Sequence, residues 1–339
     1  MRQRVSTLHE ETTYVSRLSI LIPYLGKTKL LEDTLVSVLE NRPADSEILV
    51  VMARHYEDPY DLGDEVRFLP TANRVGLMGC VNFGLALARA EVVHVLLCGT
   101  VADDGWADSA MSHFDNPVVG CVAPLVVDAR TPDRVVAAGV DYHAGGRMQL
   151  LRSTTATTKI DRSPTVVLGP HPTAAFYRRS ALNVVGRFDL EAGDRFGSLD
   201  LALRLDHAGY QTVLEPHSQV RLLPGAVNGS ETFRRALEAE QFFWRWAPRA
   251  GWGRSLGLHA LHLMAEGCQT LLHPRILAWT AGRLAGCGAI GEHRRCRERL
   301  ERAAETVEKL KGSNGPVASP HFASGSAGPA RAGAVALRR

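Results

Sequence analysis

The side chains best suited to chemistry follow an apolar run at 92–97, where positions 98 to 106 read CGTVADDGW. The thiol of Cys98 and the hydroxyl of Thr100 are weak nucleophiles unless a neighbour activates them, and neither is a good ligand for a hard cation. Asp103 and Asp104 could bind such a cation, but acids just before a helix more commonly cap it. We therefore expect these two acids to cap a helix and Cys98 to pack in the interior.

Other candidates are scattered along the second half of the chain. Asp194 lies in a segment, 191–197, that reads as a loop, and it could act as a general base, although a solvated loop carboxylate is the simpler interpretation. Asp200 follows at the start of a helical pattern, where an acid also favours the helix dipole. His171 stands between two prolines and could act as a base near neutral pH, although an exposed loop histidine is the simpler interpretation. Arg178 and its neighbour could hold a phosphate without metal, or could be a solvent-facing pair.

These residues need a scaffold, and the hydrophobic pattern indicates an α/β fold. Apolar runs of strand length alternate with helical patterns, which is typical of a parallel sheet covered by helices on both faces. The predicted strands are 18–23, 47–52, 66–70, 92–97, 118–127 and 211–216, and the predicted helices are 27–41, 77–90 and 198–210. Ligands of such sheets bind at the carboxyl ends of the strands, so we expect the site around Tyr24, Met52 and Cys98.

Composition narrows the function classes. The 339 residues carry a net charge of only +3, so no global attraction to nucleic acid is expected. The 6 cysteines form no CxxC pair and are interpreted as reduced, which predicts a cytoplasmic protein. The first residues lack the apolar segment of a secretory signal, and no uncharged run reaches the roughly 20 residues that span a bilayer.

Composition also predicts four parts: an N-terminal tail (1–16), the α/β domain (17–225), a helical extension (226–311) and a disordered tail rich in Gly, Ala, Ser and Pro (312–339). Segment 242–284 interleaves Trp and Arg with apolar stretches, which suits peripheral contact with the inner face of a membrane. The same segment could instead pack as a core of its own. The charged run 292–311 predicts a solvated helix or an oligomer contact.

Several segments, in order, resemble the successive blocks of family 2 glycosyltransferases with the GT-A fold. They are 18–51 (LSILIPYLGKTKLLEDTLVSVLENRPADSEILVV), 72–97 (ANRVGLMGCVNFGLALARAEVVHVLL), 174–189 (AAFYRRSALNVVGRFD) and 199–216 (LDLALRLDHAGYQTVLEP). The resemblance implies a GT-A domain with a mostly parallel sheet flanked by helices. It also implies a nucleoside diphosphate sugar as donor and a glycan, lipid or other acceptor.

The sequence departs from the family where the resemblance places its chemistry. The Asp-x-Asp turn that holds Mg²⁺ or Mn²⁺ falls on 98–100, and the Asp that reaches the nucleotide base falls on Met52. The acidic pair that supplies the general base falls on Gly197 and Ser198, and a His after the last strand falls on Leu222. Because hard cations prefer carboxylate oxygens, we predict no metal cofactor.

The positions that match the family are mostly of types that serve turns and packing. The candidate catalytic residues are Asp194 and Asp200, and the candidate substrate-binding residues are Tyr24, Asn73, Asn82, His171, Arg178 and Arg204. The resemblance predicts a family 2-like protein of glycan or cell-envelope polysaccharide metabolism. The losses predict that its activity is weakened or absent.

Two alternatives stay open: an active transferase that balances the diphosphate with Arg side chains and helix termini, and a non-catalytic glycan-binding or scaffold partner of another transferase. A nucleotidyltransferase is disfavoured because no Gly-rich phosphate loop follows Pro23. The sequence indicates neither the donor sugar, the acceptor, the stereochemical outcome nor the oligomeric state.

Overall fold

The computed structural model describes residues 16–72, 75–226, 232–246, 251–291, 298, 300–302 and 305. The candidate Asn73, residues 1–15 of the N-terminal tail, most of the charged run 292–311 and the tail 312–339 lie outside these residues.

Helices and strands alternate regularly in the first part of the chain, because apolar runs without helical spacing form strands and the amphipathic segments between them form helices. The elements are β1 (Leu18–Tyr24), α1 (Thr28–Asn41), β2 (Ser46–Met52), β3 (Val66–Pro70), α2 (Leu77–Leu87), β4 (Val92–Leu96), β5 (Thr100–Ala102) and α3 (Trp106–Met111).

The later elements include short strands and a series of helices. They are β6 (Val119–Asp128), β7 (Val135–Ala137), β8 (Val140–Tyr142), β9 (Met148–Leu150), β10 (Thr165–Val167), β11 (Ala174–Arg178), α4 (Arg179–Val185), α5 (Gly193–His207), β12 (Gln211–Leu222), α6 (Thr232–Trp246), α7 (Trp252–Thr270) and α8 (Ile276–Gly286).

The main sheet has the strand order β10-β12-β6-β11-β4-β1-β2-β3, with β5 beside β12 and β7 beside β6. Strands β3, β2, β1 and β4 run parallel, as predicted. β11 runs antiparallel between β4 and β6, and β12 runs parallel to β6. The sheet is therefore parallel on one side and mixed on the other, with β8 and β9 forming a separate hairpin.

Helices cover both faces of the sheet. On one face α1 buries Leu31, Leu35 and Val38, whose spacing of three to four residues places them on one side of the helix. On the other face α2 buries Met78 and Leu85 against β1, β2 and β4. Burial of apolar surface, worth about 25 cal/mol per Å², stabilises both layers.

The helical extension packs against the α/β domain. The ring of Phe242 in α6 stacks on Phe196 in α5, with ring centroids 4.6 Å apart. Within the extension the buried Glu240 of α6 lies 3.2 Å from both His259 of α7 and Arg283 of α8. Three helices are thus tied by one carboxylate.

Two boundary predictions were wrong. The segment 191–197 is not a loop, because helix α5 already begins at Gly193. Strand β12 continues beyond 216 to Leu222, since a register shift between Glu215 and Gln219 lets it stay beside β6.

Candidate functional site

The carboxyl ends of β1, β2 and β4 form one rim, as predicted. Tyr24 ends β1 with its ring buried and its hydroxyl 2.9 Å from that of Thr28. Met52 ends β2, and its carbonyl accepts hydrogen bonds from the backbone N–H and the hydroxyl of Thr71. The Met52 position therefore gives the rim an apolar side chain and a backbone oxygen that is already in use.

Hydrogen bonds to β1 and α1 hold one side of the turn after β4. The thiol of Cys98 donates to the carbonyl of Pro23 at 3.2 Å, and burial raises the pKa of the Cys98 thiol to about 12. The N–H of Gly99 lies 3.0 Å from the Leu30 carbonyl and 2.9 Å from the Thr34 hydroxyl. Cys98 is thus held as a neutral packing residue, in agreement with the sequence.

The same turn is covered from above by the chain that follows β12. Leu222 pairs with Thr100, and the next residue donates its N–H to the Gly99 carbonyl at 2.8 Å. A Cβ on Gly99 would lie 2.6 Å from the methyl group of Ala226. The buried Thr100 hydroxyl has no hydrogen-bond partner among the described residues.

This turn does not fit Mg²⁺ or Mn²⁺. Its three residues offer a protonated thiol, no side chain at Gly99 and a buried hydroxyl. None of these is the anionic oxygen that such cations prefer. Across the described residues no group of three or more His, Cys, Asp or Glu side chains is arranged to hold a metal ion.

The carboxylate that follows the turn most closely in the sequence, that of Asp103, already has hydrogen-bond partners. Asp103 accepts hydrogen bonds from Arg221 at 2.6 Å and Gln219 at 2.8 Å, which ties it to β12. The prediction that Asp103 and Asp104 cap helix α3 was wrong, because Gly105 occupies the position before the helix and no side chain caps it.

Asp194 is the acidic candidate that the fold brings to the rim. It lies in the first turn of α5, and its carboxylate accepts the N–H of Met78 at 3.3 Å, at the start of the helix that follows β3. Its side chain is 39% exposed, with Arg234 at 3.9 Å. Asp194 is therefore open enough to meet an acceptor hydroxyl.

The two positions at which the resemblance places an acidic pair are buried in the interior. Gly197 and Ser198 lie inside α5, not before it. A Cβ on Gly197 would lie 2.5 Å from the sulfur of Met78, so a carboxylate there would collide with α2.

His171 is buried, and the simpler interpretation of it as an exposed loop residue was wrong. Its Nδ1 lies 2.8 Å from the hydroxyl of Thr173, whose carbonyl accepts the N–H of Leu97 beside the rim. Burial lowers the pKa of His171 to about 4. The ring is neutral near pH 7, and its own interior contacts fix its position.

Asp200 and Arg204 form part of a buried ion cluster, hereafter the Asp200 cluster, together with Arg245 and Trp246 of α6. The Asp200 carboxylate lies 2.9 Å from Arg204 Nε, 2.8 Å from Arg245 Nε and 3.1 Å from Trp246 Nε1. Arg204 also donates to three backbone carbonyls, those of 185, 186 and 187. The contacts of both candidates are internal and join α5 to α6.

Two further substrate-binding candidates also make internal contacts. Arg178 is buried at the opposite edge of the sheet, where it pairs with Val92 at the start of β4 and donates to three backbone carbonyls. It is neither solvent-facing nor near the rim. The amide of Asn82 exchanges two hydrogen bonds with the backbone of Phe188, which fixes the loop before α5.

Sequence reasoning missed two cations at the rim. Lys27 follows β1 and donates its ammonium to the Gly225 carbonyl at 2.5 Å. Arg54 follows β2, and its Cγ would lie 3.3 Å from a Cβ on Gly26, so its stem crosses the same loop. Both are exposed. Their places directly after rim strands were the signal that could have revealed them.

The helices were also compared with the requirements for crossing a bilayer. Among those described, none has both the length and the apolar character of a membrane-spanning segment.

A scan against family models gives no match, and no curated protein matches in sequence. Among solved structures the chain is similar to GalNAc-T7 with UDP, GalNAc and Mn²⁺, at a TM-score of 0.51 and 14% identity. That likeness covers 77% of this chain and 58% of GalNAc-T7, so the chain spans little more than half of that structure. The chain is also similar to the mannosyltransferase PcManGT from Pyrobaculum calidifontis in complex with GDP-Man and Mn²⁺, at a TM-score of 0.49 and 17% identity. That likeness covers 88% of this chain and 89% of PcManGT. The chain has a mixed α/β GT-A fold, which confirms the predicted fold class.

Proposed function

We propose that this protein is a family 2 glycosyltransferase-like member of glycan or cell-envelope polysaccharide metabolism whose sugar transfer is weakened or absent. The observation that supports this is the packed turn at 98–100, whose three residues carry no carboxylate. As a glycosidic bond to a nucleoside diphosphate breaks, negative charge grows on the leaving group. Without a cation or an equivalent positive group there, the transition state loses several kcal/mol of stabilisation.

The protein would still bind a donor in this cleft. GalNAc-T7, the fold neighbour, is described with UDP, a sugar and Mn²⁺, and the rim of this chain retains the buried Tyr24 and the loop after β1. A binding-competent but inactive domain would act as a glycan-binding or scaffold partner of another transferase. We place it in the cytoplasm, with peripheral contact to the inner face of a membrane through the part of 242–284 that follows Trp252. The start of that segment is not available, because Phe242, Phe243 and Trp246 are buried.

A second function, metal-independent transfer, is favoured by Lys27, Arg54 and Asp194. Both cations belong to the rim, with the Arg54 stem against Gly26 and the Lys27 ammonium on the Gly225 carbonyl, and they could balance a diphosphate in place of a metal. Asp194 is the exposed acid that could deprotonate an acceptor hydroxyl. In this function the cations replace the lost Asp-x-Asp turn.

Calorimetry with UDP- and GDP-sugars, each with and without Mn²⁺, tests donor binding, and a parallel assay of nucleotide release tests transfer. We expect binding that does not change with Mn²⁺ and is about tenfold weaker in Lys27→Gln and Arg54→Gln, the size of one charge-assisted contact. The exposed Arg89, which lies beyond the far end of α2, provides the matched control Arg89→Gln.

The outcomes separate the candidates. Binding without nucleotide release supports the inactive protein, and release that is lost in Asp194→Asn supports metal-independent transfer. Binding that requires Mn²⁺ contradicts both. Flotation of the protein with anionic vesicles tests the membrane contact, which fails if the protein stays at the bottom of the gradient.

A further inference from the structure

A cavity lies between the start of α5 and the helical extension. Its volume is about 660 Å³, and it is bounded by the start of α5, the β8–β9 turn and helices α6, α7 and α8. Five guanidinium groups line it, those of Arg147, Arg195, Arg235, Arg275 and Arg283. They come from four separate segments of the chain, since Arg275 directly precedes the helix that holds Arg283, and the fold brings these segments together.

The positive charge of this cavity is largely unbalanced. Glu266 is the carboxylate in its lining, and it lies 2.5 Å from the buried Arg283, which also contacts Glu240. Arg283 is therefore shared by two carboxylates, whose combined charge exceeds its own by one. For the other four arginines, no salt bridge to a carboxylate occurs within the part of the chain that the structure describes.

These arginines repel one another. Partial desolvation and the nearby Arg235 lower the pKa of the exposed Arg195, whereas Glu238 and Glu266 act in the opposite direction. A bound anion would remove that repulsion. Guanidinium groups pair with phosphate oxygens through two parallel hydrogen bonds, so several of them around one cavity suit a multiply charged phosphate.

We propose that this cavity is a binding site for a phosphate or diphosphate group, separate from the donor rim. None of the rim residues lines it, and the proposal does not depend on sugar transfer. Two sources share this chemistry: a soluble phosphate compound and the headgroup of a lipid. Leu271, Leu272 and Leu277, in and next to the α7–α8 connection, are 66%, 98% and 78% exposed, which is the arrangement that a lipid source would require.

Calorimetric titration of the full chain with inorganic pyrophosphate tests the site. We expect Arg195→Gln and Arg235→Gln each to weaken binding about tenfold and the double variant to weaken it further. Arg235→Lys keeps the positive charge but lacks the two parallel N–H donors of a guanidinium group. It should therefore weaken binding less than Arg235→Gln does. The control is Arg254→Gln, because Arg254 is equally exposed on α7 but does not line the cavity.

Vesicles distinguish the two sources. Binding to phosphatidylcholine vesicles that contain phosphatidic acid, lost in Arg195→Gln and competed by pyrophosphate, identifies a lipid phosphate. Pyrophosphate binding without vesicle binding identifies a soluble ligand. Either result supports the site.

Three results would overturn it. These are no binding of pyrophosphate or vesicles, equal binding by wild type and the double variant, or an equal loss in Arg254→Gln. Pyrophosphate that binds at the rim instead is recognised because Lys27→Gln, and not Arg235→Gln, then weakens the binding. Failure at the rim with success in this cavity leaves the inference intact.

Discussion

The turn at 98–100 and the Asp200 cluster show two different reasons why a candidate position is structural. In the turn, the reactive residue types are absent and the space is filled by Ala226 and the loop after β12. In the Asp200 cluster the reactive types are present, but three donors from α5 and α6 surround the carboxylate. Residue type alone therefore excludes the turn as a carboxylate site, whereas only the tertiary partners show that Asp200 is engaged internally.

Asp200→Asn is the strongest test of this comparison. It leaves Arg204 and Arg245 buried without their shared counter-charge, and breaking a buried ion cluster typically costs about 3–5 kcal/mol. Urea denaturation should show a loss of that size. The exposed Asp104→Asn should change the free energy of unfolding by less than about 0.5 kcal/mol. A stable Asp200→Asn protein that loses only ligand binding would show that Asp200 is functional after all.

Lowering the pH tests the region around the turn at 98–100, because two histidines that are neutral near pH 7 lie in that region. Burial lowers the pKa of His94 to about 3 and that of His171 to about 4, from the usual 6.5. The unfolded chain binds these protons first, so stability is complete above pH 6.5 and falls as the pH drops towards 4. The loss is about 1.4 kcal/mol per pH unit for each ring.

His94 also has its tautomer fixed by its partners: Nδ1 faces the Ala175 carbonyl at 3.1 Å, and Nε2 accepts the indole N–H of Trp106 at 3.2 Å. Unfolding measured between pH 7 and 4.5 should be less pH-dependent in His171→Gln than in wild type. The exposed His55→Gln should keep the wild-type slope. Equal slopes in all three proteins would mean that His171 is not buried in solution.

Gly99→Ala probes the packing over the turn directly. Gly99 has a φ of +88°, and its new methyl group would lie 2.6 Å from Ala226. Gly105→Ala is a matched control, since Gly105 has a φ of +67° and an added Cβ meets nothing within 4 Å. The control should cost about 1 kcal/mol for backbone strain alone. Gly99→Ala should cost about 1–2 kcal/mol more in thermal unfolding, and equal costs would show that the covering loop is loose.

Much of the fold was predictable because the strands that form the rim are short, apolar and buried on both faces. β1, β2 and β4 follow directly from that pattern, and so does the packing of Cys98. The start of α5 was missed because its glycines and acid resemble a loop. Contacts with Met78 of α2 and Glu238 of α6 stabilise a helix there instead.

The candidate site was less predictable, because its contacts join distant parts of the chain. The partners of Asp200 include Arg245, 45 residues away in α6. The place of Arg178 depended on β11 running antiparallel to β4, and a buried strand gives no sign of its direction in the sequence. Lys27 and Arg54 could have been found, since each follows a predicted rim strand.

The smallest effect, and the most local one, is the reactivity of the Cys98 thiol. Its pKa is raised from 9.0 to about 12 by burial, so at pH 8 about 1,000-fold less thiolate is present than for an unperturbed cysteine. Cys268 on α7 is exposed and serves as the internal control. Peptide mass spectrometry after iodoacetamide treatment should show Cys268 alkylated long before Cys98, with the two rates converging in urea. Rapid alkylation of native Cys98 would mean that the turn opens, and the contrast with the Asp200 cluster would then reduce to residue type alone.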